Sequence, residues 1–219
     1  MSFITFRRYH MDEALQRAKF YGKVLDVGGK KDNKRGIFRP PLDKVESWEY
    51  LNIDKSTNPD YNCSADNIPV DDETFDIVML AEVIEHIENP VEVLNECVRV
   101  LKKDGNLIIT MPFLNAIHAD PYDFQRWTDF KFNLELEKLN LTNITIQPMG
   151  GVFAVIYDLI LVSLNGASKN KSAFKNRFIR KFLMPILAKG FLFLDLKYEY
   201  KSKYITTGYY IVSKKSVKK

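Results

Sequence analysis

Several short stretches hold residues whose types and spacing could do chemistry. In VLDVGG (24–29), Asp26 closes an apolar run and Gly28-Gly29 open a tight turn. Glycines at such a turn let the backbone approach a ligand closely. Asp54 follows a second apolar run, WEYLNI (48–53), and an acid there can accept from both hydroxyls of a ribose. In SADNIP (64–69), Asp66 can accept from an exocyclic amine while Ile68 packs on a ring face, which suits adenine. A third apolar run ends in Ala81-Glu82-Val83-Ile84-Glu85-His86. FLNAIHADPYDFQRWT (113–128) adds His118, Asp120, Asp123 and Arg126 in a loop context set by Pro112 and Pro121. His118, Asp120 and His86 are the candidate general bases. The bland readings are that His86 closes a turn, that the aspartates are turn or capping residues, and that Arg126 pairs with one of them.

These residues need a scaffold, and the hydrophobic pattern supplies one. Strands are predicted at 23–28, 48–53, 61–64, 75–81, 106–111, 143–148 and 205–213. A helix begins at Asn89-Pro90, with proline at its first position, and shows Val91, Leu94, Val98 and Leu101 at helical spacing. Lys102-Lys103 are placed at its C-terminal end, and Asp104-Gly105 break it. A later helix spans about 128–140, with Thr128 as its N-cap. Strands alternating with helices predict an α/β fold: a Rossmann-like, seven-stranded, mostly parallel sheet with helices on both faces. One domain over 1–219 is expected. Within it, an apolar, basic segment at 152–200 breaks the rhythm and is read as a helical elaboration or lid before the last strand.

Charge is uneven. Residues 1–158 hold 18 Lys/Arg against 26 Asp/Glu, whereas 159–219 hold 14 against 2, which together give the net +4. The basic quarter is either a solvated surface or a face for something anionic. Phe174, Phe178, Phe182, Phe191 and Phe193 sit among its cations. They read as core-facing helices that roof a pocket or, more sharply, as an interfacial segment for a peripheral membrane contact. VFAVIYDLILVSL (152–164) contains Asp158 and falls short of the ~20 apolar residues a membrane span needs. No apolar h-region follows Met1, which points to a cytoplasmic protein. Cys63 and Cys97 fit a reducing compartment, and no Cys/His cluster has zinc-ligand spacing, so no metal is expected.

The order VLDVGG, NID, SADNIPV, FDIVMLAEVIEHI, RVLKKDGNLIITMP resembles the class I SAM-dependent methyltransferases, and among them the type 11 group, over residues 20–150. The segment at 113–128 resembles a subset of that group with a His-x-x-Pro-x-Asp-aromatic-x-Arg-aromatic-Thr run. The resemblance implies S-adenosyl-L-methionine (SAM) as cofactor. It puts Asp26, Gly28 and Gly29 at the methionine end and Asp54 at the ribose, with Lys55 in the same cofactor-binding set. Asp66, Asn67 and Ile68 would frame the adenine, and Ala81 and Glu82 would pass beneath the sulfonium. The chain departs from the family's glycine-rich continuation at Lys30-Lys31-Asp32. The implied acceptor is a small molecule or a cell-surface glycan precursor, and an anionic or lipid-linked acceptor would suit the basic quarter. Two alternatives stay open: a non-catalytic SAM-fold binding protein and a nucleic-acid methyltransferase, the latter opposed by the acidic remainder of the chain. An NAD-type dehydrogenase is disfavoured because G-x-G-x-x-G is missing. The sequence carries no signal for oligomeric state.

Overall fold

Strand β1 (Lys23–Val27) is apolar on both sides, and so is β3 (Phe75–Ala81). Side chains alternate across a strand, so such runs are stable only where both faces are covered. The computed structural model shows that arrangement; it describes residues 5–32, 36–118, 121–166, 179–198 and 204–217. Along β3, Val78 and Leu80 enter one core, while Ile77 and Met79 enter the other. The remaining strands are β2 (Ser47–Leu51), β4 (Leu101–Pro112), β5 (Leu141–Met149) and β6 (Gly208–Lys215). They form one sheet in the order β2-β1-β3-β4-β6-β5. The first four are mutually parallel; β6 runs antiparallel to both β4 and β5.

The fold is therefore α/β and Rossmann-like, but its sheet is mixed and, among the described residues, has six strands rather than the seven expected. The expected strand at 61–64 is reduced to an isolated bridge between Tyr61 and Leu51. The tyrosine hydroxyl donates to Glu49 at 2.6 Å, so the segment is anchored by its side chain rather than by a ladder.

Helix α2 (Pro90–Val100) starts at Pro90 as expected. Its buried stripe is Val93, Leu94, Cys97 and Val100, and Val91 is exposed. The helix ends before Lys102-Lys103, which fall in β4, where the ladder register slips between Leu101 and Asn106. Lys102 donates to Asp76 at 2.8 Å across that bulge, and this ion pair replaces the expected helix-end role. Helix α3 (Asp129–Lys138) is capped by Thr128, whose hydroxyl accepts from the Lys131 amide. α2 and α3 cover one sheet face.

The other face carries α1 (Phe6–Arg17), which packs Met11 and Leu15 against Val24, Ile77 and Met79. Beside it lie α4 (Val152–Gly166) and, after a π-helical turn at Ile179–Leu183, α5 (Met184–Tyr198). The helical character expected at 152–200 is present where the segment is described. Phe191 joins a core with Phe6 and Tyr157, whereas Phe182 and Phe193 are exposed; Phe174 and Phe178 lie outside the described residues. Among the described residues, no helix is long and apolar enough to cross a membrane.

Buried carboxylates join these three helices. Asp158 on α4 accepts from the amides of Phe6 and Arg7 at 2.7 and 2.9 Å, which caps α1 from far away in sequence. Asp195 on α5 accepts from the amides of Gly151 and Ala154, which caps α4, and His10 Nε2 of α1 lies 3.4 Å from it. The first amides of a helix lack internal partners and bear partial positive charge, so a carboxylate there stabilises both helix and contact. Burial on its own raises the Asp195 pKa, but the His10 imidazole and the two amides outweigh it and hold the group below the ordinary aspartate value. A depressed pKa adds stability that is present above the unfolded-state value and is lost as pH falls through the folded one. Asp195→Asn should therefore cost about 3 kcal/mol at neutral pH. The difference from the wild type should shrink as pH drops below about 4, which urea denaturation at several pH values measures.

Candidate active site

The C-terminal ends of β1, β2 and β3 open into one cavity of about 810 Å³. Open α/β sheets bind ligands at this edge. After β1 the chain turns sharply at Gly28, whose φ of +76° favours glycine. A Cβ there would lie 2.5 Å from Val83, and one on Gly29 would lie 2.3 Å from the Asp26 carboxyl carbon. The turn is fixed by Asn52, whose side-chain amide donates to the carbonyls of both Gly28 and Gly29 at 3.0 Å. Asp26 is buried and accepts from the Trp48 indole at 3.3 Å.

At the end of β2, Asp54 caps the short turn Lys55–Thr57 by accepting from the Ser56 hydroxyl and amide at 2.6 and 2.9 Å. Those bonds, the hydroxyl's first, hold its pKa below the usual aspartate value. Asp54 stays ionised and solvent-facing, as a ribose acceptor must. Asp66 lines the cavity with Ser64 and Ala65. Of the other expected cofactor residues, Asp26, Gly28, Gly29, Ala81 and Glu82 line it, but Lys55, Asn67 and Ile68 do not. Ile68 is fully buried in the core, and its amide donates to Glu96. The ring-facing apolar contact expected of Ile68 is thus unavailable, and Ala65 is the small apolar residue of that segment at the wall. Lys30 also lines the cavity, whereas Lys31 turns away to pair with Asp60 at 2.6 Å.

Glu82, at the end of β3, adopts a positive φ of 56° and is anchored by its amide to the Thr110 carbonyl. Its carboxylate is held by Arg7, with Arg8 3.8 Å away. These arginines come from α1, and with Met11 and Leu15 they make it a wall of the cavity. Among the described residues, nothing from 152–200 lines the cavity; α4 and α5 act on it by holding α1.

The far end of the cavity gathers His86 and His118, with Glu85 behind them. Glu85 is fully buried, and both imidazole Nε2 atoms lie 3.8 Å from its Oε1. Neither carboxylate oxygen has a hydrogen-bond partner. Burial first, and then the nearby Glu82 charge, push its pKa up to about 8. His86 Nδ1 contacts the Tyr122 carbonyl at 2.5 Å. His118 Nδ1 faces the Ala116 carbonyl at 3.3 Å and Asp123 at 3.5 Å. Burial, followed by the Arg7 charge, lowers the His118 pKa, so the ring is neutral at pH 7 and can accept a proton. Asp123 is engaged by Arg126 through both oxygens, which holds its pKa near 2. Arg126 is thus the partner of an aspartate, the plainer of its two readings. Asp120 lies outside the described residues.

Sequence reasoning missed Arg7, Arg8, Asn52 and Glu85. The arginines belong to a helix with no motif of its own. Asn52 sits one residue inside the apolar run that precedes Asp54. Glu85 was visible only as part of a motif, and its burial could not be read from neighbouring residues.

Residues 45–109 match the family described as a methyltransferase domain. Among solved structures, Haemonchus contortus phosphoethanolamine N-methyltransferase 2 in complex with SAM is similar at 15% identity and a TM-score of 0.55, over 96% of this chain and 52% of that one. This chain therefore spans about half the length of that protein. A putative sarcosine dimethylglycine methyltransferase from Galdieria sulphuraria is similar at 19% identity and a TM-score of 0.54, over 96% and 82% of the two chains. The [4+2]-cyclase SpnF is similar at 15% identity and a TM-score of 0.57, over 96% of this chain and 81% of that one. Identities this low speak to the fold alone, and a cyclase on the same fold shows that fold does not fix reaction. No curated protein matches the chain. The domain match and the shared fold together support an enzyme of the methyltransferase type.

The glycine turn is the part of this site least able to accept change. Gly28→Ala would force an alanine to positive φ and into Val83. It should cost about 1–3 kcal/mol by urea denaturation.

Proposed function

We propose that the protein transfers a methyl group from SAM to an oxygen or nitrogen of a small molecule or a cell-surface glycan precursor. The observation that carries this reading is the convergence of Asp26, Gly28, Asp54 and Asp66 on one cavity at the C-terminal edge of the parallel strands. The cofactor is SAM, in line with the methyltransferase domain match and with the SAM-bound neighbour. The residues present fit it. The two glycines leave a cradle that a Cβ would fill, Asp54 offers carboxylate oxygens toward solvent, and Lys30 and Arg8 line the cavity as cationic partners for a methionine carboxylate.

SAM supplies a methyl group already activated on a sulfonium, so the protein's work is mostly alignment. Asp54 would hold the ribose and Asp66 the adenine edge. Glu82, held by Arg7, sets negative charge beneath the reacting centre. His118 is neutral and accessible and is suited to take the acceptor's proton at Nε2, with Asp123 and the Ala116 carbonyl orienting its other nitrogen. His86 stands beside it, with ring centroids 5.3 Å apart. The chain works as one methyltransferase domain in which the helices described within 152–200, α4 and α5, are an elaboration that holds α1 at the cavity.

The acceptor reading draws on two features. The Haemonchus neighbour is a phosphoethanolamine methyltransferase, which favours a small, anionic acceptor. The exposed row Ile156, Leu159, Ile160, Ile186 and Phe193 on α4 and α5 supports a peripheral membrane contact for a lipid-linked one.

Thermal unfolding with SAM, S-adenosylhomocysteine and NAD tests the cofactor. A ligand at 100 times its Kd adds about 2.7 kcal/mol, which is a shift of a few degrees for a chain of this size. The SAM pair should raise Tm, NAD should not, and Asp54→Ala should abolish most of the shift. A shift with NAD alone, or none with any of the three, would sink this reading.

A further inference from the structure

Among the described residues, Glu85 is the one carboxylate of its cluster without an arginine of its own. Glu82 has Arg7, and Asp123 has Arg126. Glu85 has no exposed side-chain surface and two oxygens without hydrogen-bond partners. Burying such a group costs several kcal/mol unless something pairs with it.

The groups facing it are two imidazole nitrogens. One ligand atom each from Glu85, His86 and His118 lie within 4.8 Å of one another. Both rings have their other nitrogen turned to an acceptor: His86 Nδ1 to the Tyr122 carbonyl, and His118 Nδ1 to the Ala116 carbonyl and Asp123. With the Nδ1 protons donated to those carbonyls, each Nε2 is left to present its lone pair toward Glu85; the Asn115 side-chain nitrogen also lies 3.4 Å from His118 Nδ1. Metal-bound histidines are oriented in this way, by a carbonyl or carboxylate on the distal nitrogen. Phe124 and Gln125 are tied to the turn that carries Glu85 and His86: Phe124 donates to the Glu85 carbonyl at 2.8 Å and Gln125 to the Ile87 carbonyl at 2.6 Å.

We propose that Glu85, His86 and His118 bind a divalent first-row transition ion, with its open coordination positions toward the cavity. Two imidazoles and one carboxylate form a three-ligand set that suits Zn²⁺ with a fourth position free, and it does not suit Mg²⁺, which prefers oxygen ligands. The 3.8 Å separations exceed the edge of a tetrahedral zinc site, about 3.3 Å for bonds near 2.05 Å, so the ion would draw the side chains in by a fraction of an ångström. Spacing rules gave no warning of this site, because two ligands are adjacent in one turn and the third comes from a loop after β4. Its further use, in which the bound ion takes over from the now-occupied His118 Nε2 and would bind and acidify a hydroxyl of the acceptor, rests on the methyl-transfer reading. Metal binding itself does not.

The test uses the full chain, dialysed against chelator and titrated without SAM, first with ZnCl2 by calorimetry and then with CoCl2 by visible absorption. The expected result is one equivalent of Zn²⁺ and an intense Co²⁺ band of low coordination number, neither displaced by millimolar MgCl2. Glu85→Gln and His118→Ala should each weaken Zn²⁺ binding at least tenfold, while His10→Ala, which alters the third histidine of the chain, should not. Metal-free Glu85→Gln should melt no lower than the wild type, because it replaces a buried ionisable group by a neutral one of the same shape; His118→Ala, in a part-exposed loop, is the second check. Binding that is absent, or equally tight in both variants, overturns the proposal. The SAM thermal shift is measured separately, so loss of one ligand without the other tells which reading has failed.

Discussion

The placement of α1 depends on two buried carboxylates, and the cavity depends on α1. Asp158 caps α1 and Asp195 caps α4, while His10 of α1 reaches back to Asp195. The three helices are therefore joined through charges that have no other role. Apolar packing among Phe6, Ala154, Tyr157, Leu161 and Met184 supplies the driving force but is non-directional. The caps supply direction, since a carboxylate bonds two amides only when the helix end points at it. Direction matters because Arg7 follows Phe6 in the first turn of α1, and Arg7 holds Glu82. A slide of α1 by one turn would remove the guanidinium from the end of β3. Among the described residues, α4 and α5 thus shape the site without lining it.

The site itself is organised by how its carboxylates are balanced. Asp54 is exposed and satisfied by Ser56, so it remains an anion available to hydroxyl donors. Glu82 and Asp123 are buried but each is paired with an arginine. Glu85 is neither exposed nor paired, and the structure tolerates it only because the rest of the fold exceeds that cost. Buried charges of this kind concentrate at functional sites, since stability alone would replace them with apolar groups. The two ends of the cavity therefore differ in kind: the end near Asp54 is made for hydrogen bonding, and the end near Glu85 is made for proton or metal chemistry.

This division also explains what could be read from the sequence. The cofactor end is built by contiguous runs. A strand, a glycine turn and an acid at the next strand's end leave local traces, which is why Asp26, Gly28, Gly29, Asp54 and Asp66 were legible and reach the same cavity. Ile68 was misplaced because an apolar residue in a turn can face either way, and only the depth of the core beneath decides. The seventh strand failed for a related reason: YNCS has strand-like composition, but Asp60 and Tyr61 both bond back to the Tyr50 carbonyl, which ends pairing after one bridge. Lys102 and Lys103 were assigned to the helix end because charge complements its dipole, yet the bulge before Asn106 offered Lys102 a direct ion pair with Asp76.

The other end of the cavity was not legible because its parts meet only through the fold. Arg7, Glu85 and His118 come from three separate stretches of the chain, and none carries a spacing that announces the others. The parallel pairing of β3 with β4 sets the turn after Ala81 beside the loop after Pro112, which brings Glu85 and His118 together, and the caps on α1 bring Arg7 to them. In α/β folds this crossing of two strand ends makes the acceptor side the most variable part of the site, because each loop can change without disturbing the sheet. A cofactor end fixed by short motifs and an acceptor end fixed by long-range charge pairing are therefore consequences of the same architecture. The first reveals which ligand the fold accepts, and the second determines which chemistry is done with it.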